Sequence, residues 1–221
     1  MDLRLHNAEA MERRKDAQQR VRVEGPALDV RELPSFGFGH RSLMWWGTQG
    51  LMLIESTAFA MAVLMWFYLR GQSPLWPPDG QAPDWLWGSV NTALLLISLW
   101  PNHLAKQAAE RLDLPAVRRW IAVMLAIGLA VLGVRVFEFM HLNTHWQAHA
   151  YGSVVWLILG LHTVHLLTDT WDTGVLAVLM HTGPLEGRRF VDVSENALYW
   201  MFVVLSWLPI YGVLYAGPRV V

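Results

Sequence analysis

The sequence has no cysteine among its 221 residues. This absence excludes disulfide bridges, iron-sulfur clusters and metal sites built on thiolates. Charged residues are also scarce, at 16% of the chain, and the formal net charge at pH 7 is -1. No block of basic residues with interleaved aromatics occurs, so nothing in the sequence indicates nucleic-acid binding. Phosphate-binding loops and nucleophile motifs are absent too.

An apolar core of the kind found in secretory signal peptides is missing from the first 24 residues. Their mixed charge, followed by Gly25 and Pro26, predicts a short helix or a disordered tail. We therefore predict two parts. Residues 1–40 form a cytoplasmic N-terminal tail, and residues 41–221 form a membrane domain.

Apolar and aromatic residues are abundant, since 54% of the residues are hydrophobic and 13 are Trp. This composition is typical of a protein in a lipid bilayer. A hydrocarbon core of about 30 Å requires about 20 apolar residues per helix. The apolar runs are this long and lack two-fold alternation, which disfavours a β-barrel. The sequence predicts an all-α bundle of five transmembrane helices, at about 43–69, 85–109, 118–141, 149–180 and 195–216.

Lys and Arg residues are distributed unevenly among the segments that connect these spans. They concentrate before the first span, between the second and third, and between the fourth and fifth. Among the other connecting segments, only Arg70 and Arg219 are basic. Because basic segments stay on the cytoplasmic side, we predict an N-terminus inside and a C-terminus outside.

Five ionisable residues of the predicted spans are singled out by their position in apolar sequence: Glu55, Arg135, Glu138, His162 and His165. Such groups are costly in lipid and normally face protein or water. Arg135 and Glu138 are three residues apart, which allows an ion pair on one helical face, partly solvated near the interface. A docking or lipid-headgroup role is the alternative. His162 and His165 also share a face, either as packing residues or as metal ligands.

Histidine spacing provides an alternative function, a histidine-ligated metal enzyme of the membrane. His145 and His149, with His162 and His165, resemble the histidine boxes of membrane di-iron hydroxylases. However, no adjacent histidine pair occurs, and the first two lie on the predicted outer side. A b-type haem would need a second ligand from the third span, where only His141 is available at the outer edge.

Four segments carry a resemblance to a known family. The first, WWGTQGLMLIESTAFAMAVLMWFYLR, contains the membrane glutamate Glu55 and ends in Tyr-Leu-Arg. It resembles a segment of haem-copper oxidase subunit III, in the short five-helix bacterial form. The other three are similar to later segments of that family, in the same order, and the match runs from about His40 to Tyr215. They are RVFEF at 135–139, AYGSVVWLILGLHTVH at 150–165 and YWMFVVLSWLPIY at 199–211.

The sequence departs from the family at three positions. The last helix of family members usually carries a histidine and an aspartate where this chain has Met201 and Val204. A glycine commonly follows the first histidine of the fourth span, where this chain has Thr163. Any polar contact that the family makes through the missing pair is therefore absent or supplied by other residues.

The resemblance implies a subunit of the bacterial cytoplasmic membrane with no haem, copper or other metal of its own, and with no catalytic residue. Family members pack against oxidase subunits I and II, bind structural phospholipids and support proton uptake. Oxygen reduction by cytochrome c or quinol, with proton pumping, belongs to subunits I and II, which hold the haem and copper. Contacts with other respiratory complexes are also compatible with the resemblance.

Glu55 raises a question of its own, because lipid disfavours a charged carboxylate. We expect Glu55 to be neutral and to donate a hydrogen bond to a neighbouring helix. At 1.5 Å per residue it lies about 18 Å from the inner start of its span, and His162 lies about 20 Å from the outer start of its own. His162 is therefore the candidate partner. The span ends suggest Arg70, Arg118 and Arg119 as lipid contacts, and the small residues at 126–133 predict close helix packing.

Overall fold

Long helices account for most of the residues that the computed structural model describes, which are 36–78, 81–183 and 186–220. No strand occurs in these ranges. The chain divides into two units, residues 1–34 and 35–221, and the helices belong to the second. Most of the predicted tail, residues 1–35, lies outside the described residues. The long helices are α1 (Leu43–Gly71), α2 (Trp85–Glu110), α3 (Leu114–Met140), α4 (Ala150–Thr182) and α5 (Gly187–Tyr211).

Side chains at the helix N-termini satisfy backbone amides that have no partner within the helix. At the start of α1, the side chain of Ser42 accepts a hydrogen bond from the amide of Met44. Asp84 accepts from the amide of Leu86 at the start of α2, and Asp113 from the amide of Ala116 at the start of α3. α3 and α5 start before the predicted spans at 118 and 195. The reason is that hydropathy marks the apolar part of a helix, whereas capping and backbone hydrogen bonds determine where the helix begins.

The helices pack in a definite order around the core. α2 packs against α3, α3 against α4, α4 against α5, and α5 against α2 again. These four therefore form a closed bundle. α1 packs on α4 and α5, from the outside of that bundle. Near the C-terminus, α5 continues into a π-helical turn, Gly212–Ala216, and a short helix, α6 (Gly217–Val220).

A ladder of polar contacts joins α2 to α5 along their antiparallel interface. In each contact a polar side chain of α2 meets a side chain or a backbone carbonyl of α5. The pairs are Ser89 with Tyr211 (2.6 Å), Thr92 with Trp207 (2.7 Å), Ser98 with Trp200 (2.7 Å) and Asn102 with the carbonyl of Ala197 (2.7 Å). Buried polar groups paired in this way hold helices together within lipid.

This ladder also explains why α2 is less apolar in sequence than the other long helices. Four segments are long and apolar enough to cross a membrane: Leu43–Gly71, Leu114–Met140, Ala150–Thr182 and Gly187–Val220. α2 does not meet the same hydropathy criterion, because its buried face carries Asn91, Ser98 and Asn102. Its outer face is apolar, with Ile97 and Trp100 exposed. The described chain is therefore all-helical, with four candidate spans by composition.

One glycine of the predicted small-residue stretch 126–133 permits a close helix contact. A Cβ atom at Gly128 would lie 2.7 Å from the hydroxyl oxygen of Thr170 on α4. Gly133 has no atom within 4 Å of such a Cβ. The close packing between α3 and α4 therefore depends on Gly128.

Candidate functional site

Glu55 lies on the face of α1 that contacts α4 and α5. It precedes Phe59, Ala62 and Trp66, which are the buried residues of this helix and recur at helical spacing. The rest of α1 is largely exposed and apolar, as the exposure of Ile54 illustrates. Because so few residues of α1 are buried, the polar contacts of Glu55 contribute substantially to its attachment.

Two helices provide the partners of the Glu55 carboxyl group. The hydroxyl of Tyr199 on α5 donates to Oε2 at 2.7 Å. Nε2 of His165 on α4 lies 3.5 Å from Oε1. The prediction that His162 is the partner is wrong. The prediction compared only the depth of His162 and Glu55 in the membrane, and depth does not fix the direction in which a side chain points around its helix. His165 points about 60° away from His162, and this difference turns it towards Glu55.

The tautomer of a neutral His165 follows from its other ring nitrogen. Nδ1 lies 2.6 Å from the carbonyl oxygen of Leu161, so Nδ1 carries a proton and donates it. A neutral His165 therefore presents the lone pair of Nε2 to Glu55. Attraction across this contact requires one proton, held by the carboxyl group or by the imidazole. The expectation that Glu55 is a neutral donor stays a prediction, and it applies to Oε1, because Oε2 accepts from Tyr199.

Arg135 and Glu138 form a second polar centre, inside the four-helix bundle. Arg135 Nη1 donates to Glu138 Oε2 at 2.8 Å, as their spacing allows. Both residues are 1% exposed, so the expected partial solvation is wrong. The reason is that α2, α4 and α5 surround α3 at this level. Burial of a charge pair requires further hydrogen bonds to both partners.

Those further hydrogen bonds come from α2, from α4 and from the π-helical turn that continues α5. Asn91 donates to Glu138 Oε2 at 3.0 Å, and the hydroxyl of Tyr215 donates to Oε1. Arg135 Nη2 donates to Nδ1 of His162 at 3.0 Å. His162 Nδ1 therefore accepts, and Nε2 carries the proton that it donates to the carbonyl of Val203 at 3.1 Å.

Trp207 completes this centre on the α5 side. The guanidinium carbon of Arg135 lies 4.2 Å from the centre of the Trp207 ring, within the range of a cation-π contact. The indole nitrogen of Trp207 donates to Thr92. The four helices α2 to α5 are thus joined by one buried network centred on Arg135 and Glu138.

An acidic cavity of about 510 Å³ adjoins Glu55, between α1, α4 and α5. Asp169 and Asp172 line it from α4, and Glu195 lines it from α5. Asn196 donates through Nδ2 to Asp169 at 2.8 Å and to Asp172 at 3.2 Å. Its Oδ1 accepts from Thr173, which fixes the direction of the amide.

Sequence reasoning missed Asp169, Asn91, Tyr199 and Tyr215 as members of these two centres. A usable signal existed for Asp169, which follows His165 by four residues and so shares its face. No local signal existed for Asn91 or Tyr215. Amide and phenol groups occur in many membrane helices, and only packing brings these two to Glu138.

The histidine pattern does not assemble a metal centre within the described residues. Both nitrogens of His162 are engaged, and Nδ1 of His149 accepts a hydrogen bond from the amide of Gly152 at the start of α4. Across the described ranges, no group of three or more His, Cys, Asp or Glu side chains is arranged to hold a metal ion. The geometry therefore gives the metal-enzyme alternative no support there.

The three predicted lipid-contact arginines occupy different environments. Arg118 donates through Nε to the carbonyl of Met180 at 2.8 Å, which satisfies a carbonyl near the end of α4. Arg119 is exposed, and Arg70 is half-buried. Nε of Arg70 has no hydrogen-bond partner among the described residues. Lipid contact by these residues stays a prediction.

The three departures from the family pattern introduce no polar contact between helices. Val204 is buried in the apolar core, and Met201 is exposed on the surface of α5. The hydroxyl of Thr163 donates to the carbonyl of Leu159 in its own helix at 2.6 Å. No side chain at 201 or 204 reproduces a histidine or aspartate contact.

Comparison with known proteins decides the family. No family model matches the chain. A protein named probable cytochrome c oxidase subunit 3, from Mycobacterium leprae (strain TN), is 30% identical over 179 residues, which cover 76% of this chain and 85% of that protein. The chain belongs to the cytochrome c oxidase subunit 3 family.

Cyanobacterial members of the subunit 3 family are similar over even more of the chain. The protein from Thermostichus vulcanus is 24% identical over 208 residues, covering 91% of this chain and 99% of that protein. The protein from Synechocystis sp. is 24% identical over 181 residues, which cover 80% of this chain and 77% of that protein. The resemblance inferred from the four sequence segments is therefore confirmed. As a subunit 3 family member with four apolar helices, the chain is a multi-pass membrane protein of the respiratory chain.

Proposed function

We propose that this chain is a non-catalytic subunit III of a haem-copper terminal oxidase in a bacterial cytoplasmic membrane. It stabilises the catalytic subunit, binds structural phospholipids and supports proton uptake. Its partners are subunits I and II, which hold the haem and copper and reduce oxygen to water. No catalytic residue is assigned to this chain.

One structural observation carries this proposal beyond family membership. Inside the apolar helices, the ionisable side chains Arg135, Glu138 and His162 are bound to one another and to neighbouring helices. They therefore stabilise the bundle instead of facing an open site where a substrate could react. An assembly role suits such a chain, whose outer surface exposes many large apolar side chains.

Five membrane crossings, with the N-terminus inside, also form part of the proposal. α2 has 26 residues, which corresponds to about 39 Å at 1.5 Å per residue, enough to span the hydrocarbon core. Its polar residues face α5 and need not meet lipid. The absence of cysteine allows a direct test with single introduced cysteines.

We expect Gln72→Cys and Gln147→Cys to react with a membrane-impermeant maleimide added to spheroplasts with an intact cytoplasmic membrane. Arg111→Cys should react only after that membrane is permeabilised. If α2 did not cross the membrane, the cysteines at 72 and 111 would react from the same side. All three positions are exposed, so access within the protein is comparable.

Support for lipid binding and proton uptake comes from surface chemistry. Exposed apolar residues cover α1 and the outer face of α4, where lipid or a partner subunit can pack. The carboxyl groups of Glu55, Asp169 and Asp172 border one cavity and can exchange protons there. In the predicted topology this cavity lies towards the cytoplasmic half of the bundle.

Purification of the tagged chain from its native membrane in a mild detergent tests the proposal. We expect haem and copper to copurify on larger subunits, and phospholipid to be retained. After separation from those subunits, the chain should carry no stoichiometric metal. Iron or haem on the separated chain would contradict the proposal and support the histidine-metal alternative. Deletion of the gene should lower the yield or turnover lifetime of the oxidase, and expression of the chain should restore it.

A further inference from the structure

The cavity beside Glu55 is acidic on its polar side and apolar elsewhere. Its carboxylates come from three helices, and none of its lining residues is basic. The remaining wall includes Leu51, Val175 and Leu176. Like charges gathered at the edge of an apolar region repel each other, and the low dielectric strengthens the repulsion. Such an arrangement is stable only if a positive charge or bound protons compensate it.

Two carboxylate oxygens at this cavity have no hydrogen-bond partner in the part of the chain that the structure describes. Asp169 is 2% exposed, and its Oδ2 has no hydrogen bond among the described residues. Glu195 is 4% exposed, and the same holds for its Oε2. Leaving a buried polar group unpaired costs about 1–3 kcal/mol, and more for a charged group. These oxygens therefore indicate that a hydrogen-bond donor belongs in the cavity.

The other acids here already have partners within this chain. Glu55 accepts from Tyr199 and contacts His165. Glu195 is attracted by Lys106, and Asp192 is attracted by Arg188 and Arg189. Asp169 and Asp172 are the exception. Asp169 instead experiences the repulsion of Asp172 and Glu55, and the amide of Asn196 is the donor shared by Asp169 and Asp172. This aspartate pair is thus the part of the cavity that has no positive group of this chain beside it.

We propose that this cavity receives the ammonium group of a lysine from a neighbouring chain of the oxidase. The inference rests on the proposed function, since it requires a partner chain. The lysine stem packs along the apolar wall, and its ammonium group reaches Asp169, Asp172 and Glu195. It thereby satisfies the unpartnered oxygens and locks the partner against α4 and α5.

The carboxylates favour an ammonium over a guanidinium group. Asn196 occupies one oxygen of Asp169 and one of Asp172, so neither offers two free oxygens to a bidentate arginine fork. A lysine has three donors that can point to separate oxygens. A protein chain is also favoured over an aminophospholipid, because the lipid phosphate would bring another negative charge next to these acids.

Carbodiimide cross-linking of the purified complex tests this contact. The reagent joins a carboxylate and an amine in contact as an amide, and it takes up the released water to become a urea. The complex is first shown by its haem spectrum to contain the catalytic chains, which tests the proposed function separately. Within this chain, Lys106 Nζ lies 3.7 Å from Glu110 Oε1 and provides the positive control.

We expect mass spectrometry to find an amide between Asp169 or Asp172 and a lysine of a partner chain. The same preparation is also treated in the presence of an excess of labelled glycine ethyl ester. Incorporation of that small amine at these acids, or an amide to an aminophospholipid, would overturn the proposal. A cross-linked partner lysine that disappears in the Asp169→Asn, Asp172→Asn double variant would support it.

A second measurement covers the case in which the reagent does not reach the cavity. Asparagine keeps the shape of aspartate and removes its charge. If a lysine is bound, the double variant should release this chain from the complex at a lower temperature than the unmodified protein. If no cation is bound, loss of like-charge repulsion should leave the release temperature unchanged or raise it, and the proposal fails. Asp113→Asn, at the exposed N-terminal cap of α3, is the matched control and should cause no shift.

Discussion

The hydroxyl of Tyr199 donates a hydrogen bond of 2.7 Å to Oε2 of Glu55, joining residues 144 positions apart in the chain. This bond connects α1, the outermost helix, to α5, the last long helix of the bundle. His165 approaches the other oxygen from α4. A carboxyl group in an otherwise apolar helix therefore serves as the polar attachment of that helix to its two neighbours.

Exchange of Glu55 for glutamine should leave the attachment of α1 nearly intact. The glutamine carbonyl can accept from Tyr199, and its amide can donate to the free nitrogen of a neutral His165. Glu55→Leu should be much more damaging, because it leaves two groups unpaired at about 1–3 kcal/mol each. The amount of this chain retained in the purified oxidase measures the effect. Equal losses for both variants would show that the role of Glu55 depends on its charge.

Removal of Arg135 should strongly destabilise the bundle. Arg135→Met leaves Glu138 as a buried charge without its ion partner, and breaking a buried pair in this way costs about 3–5 kcal/mol. Arg135→Met combined with Glu138→Gln removes that charge and should recover a large part of the loss. Thermal unfolding of the two variants in detergent provides the comparison. A double variant less stable than the single one would contradict this interpretation.

Substitution of Gly88 should disturb the buried network around Glu138 by displacing Tyr215. A Cβ atom at this position would overlap the ring of Tyr215, whose hydroxyl binds Glu138. We expect Gly88→Ala to cost about 1–3 kcal/mol, as for other insertions into a packed core. Gly133→Ala is the control, since a Cβ there has open space and should be neutral. Similar unfolding temperatures for both variants would disprove the close contact.

Loss of one contact in the ladder between α2 and α5 should also be measurable. Thr92→Val keeps the shape of the side chain but removes the acceptor for the indole nitrogen of Trp207. An unpaired donor within this interface should cost about 1–3 kcal/mol. Thr163→Val removes a hydroxyl that binds only a carbonyl of its own helix and should have little effect. Unfolding in detergent measures both, and an equal effect would argue against a contribution from the ladder.

The bundle architecture was largely predictable from the sequence, and the helix limits were not. Apolar runs predict helices because their length and hydropathy are local properties of the chain. The start of α5 at Gly187 was missed, because its first turns carry Arg188, Arg189 and Asp192 and are not apolar. The hydropathy of α2 is misleading for a related reason. Its polar residues lower the mean hydropathy of the helix, but they pack against α5 and do not face lipid.

By itself, the sequence determined that the chain is helical and apolar, which family it belongs to, and which rare ionisable residues lie in its helices. These follow from composition, spacing and similarity, all of which are properties of the linear sequence. Only the tertiary structure decided that Glu55 meets Tyr199 and His165 instead of His162, and that Asn91 reaches Glu138. The physical reason is that partner choice depends on the rotation and relative depth of neighbouring helices. Those are set by the packing of all the helices together, through contacts such as Gly128 against Thr170.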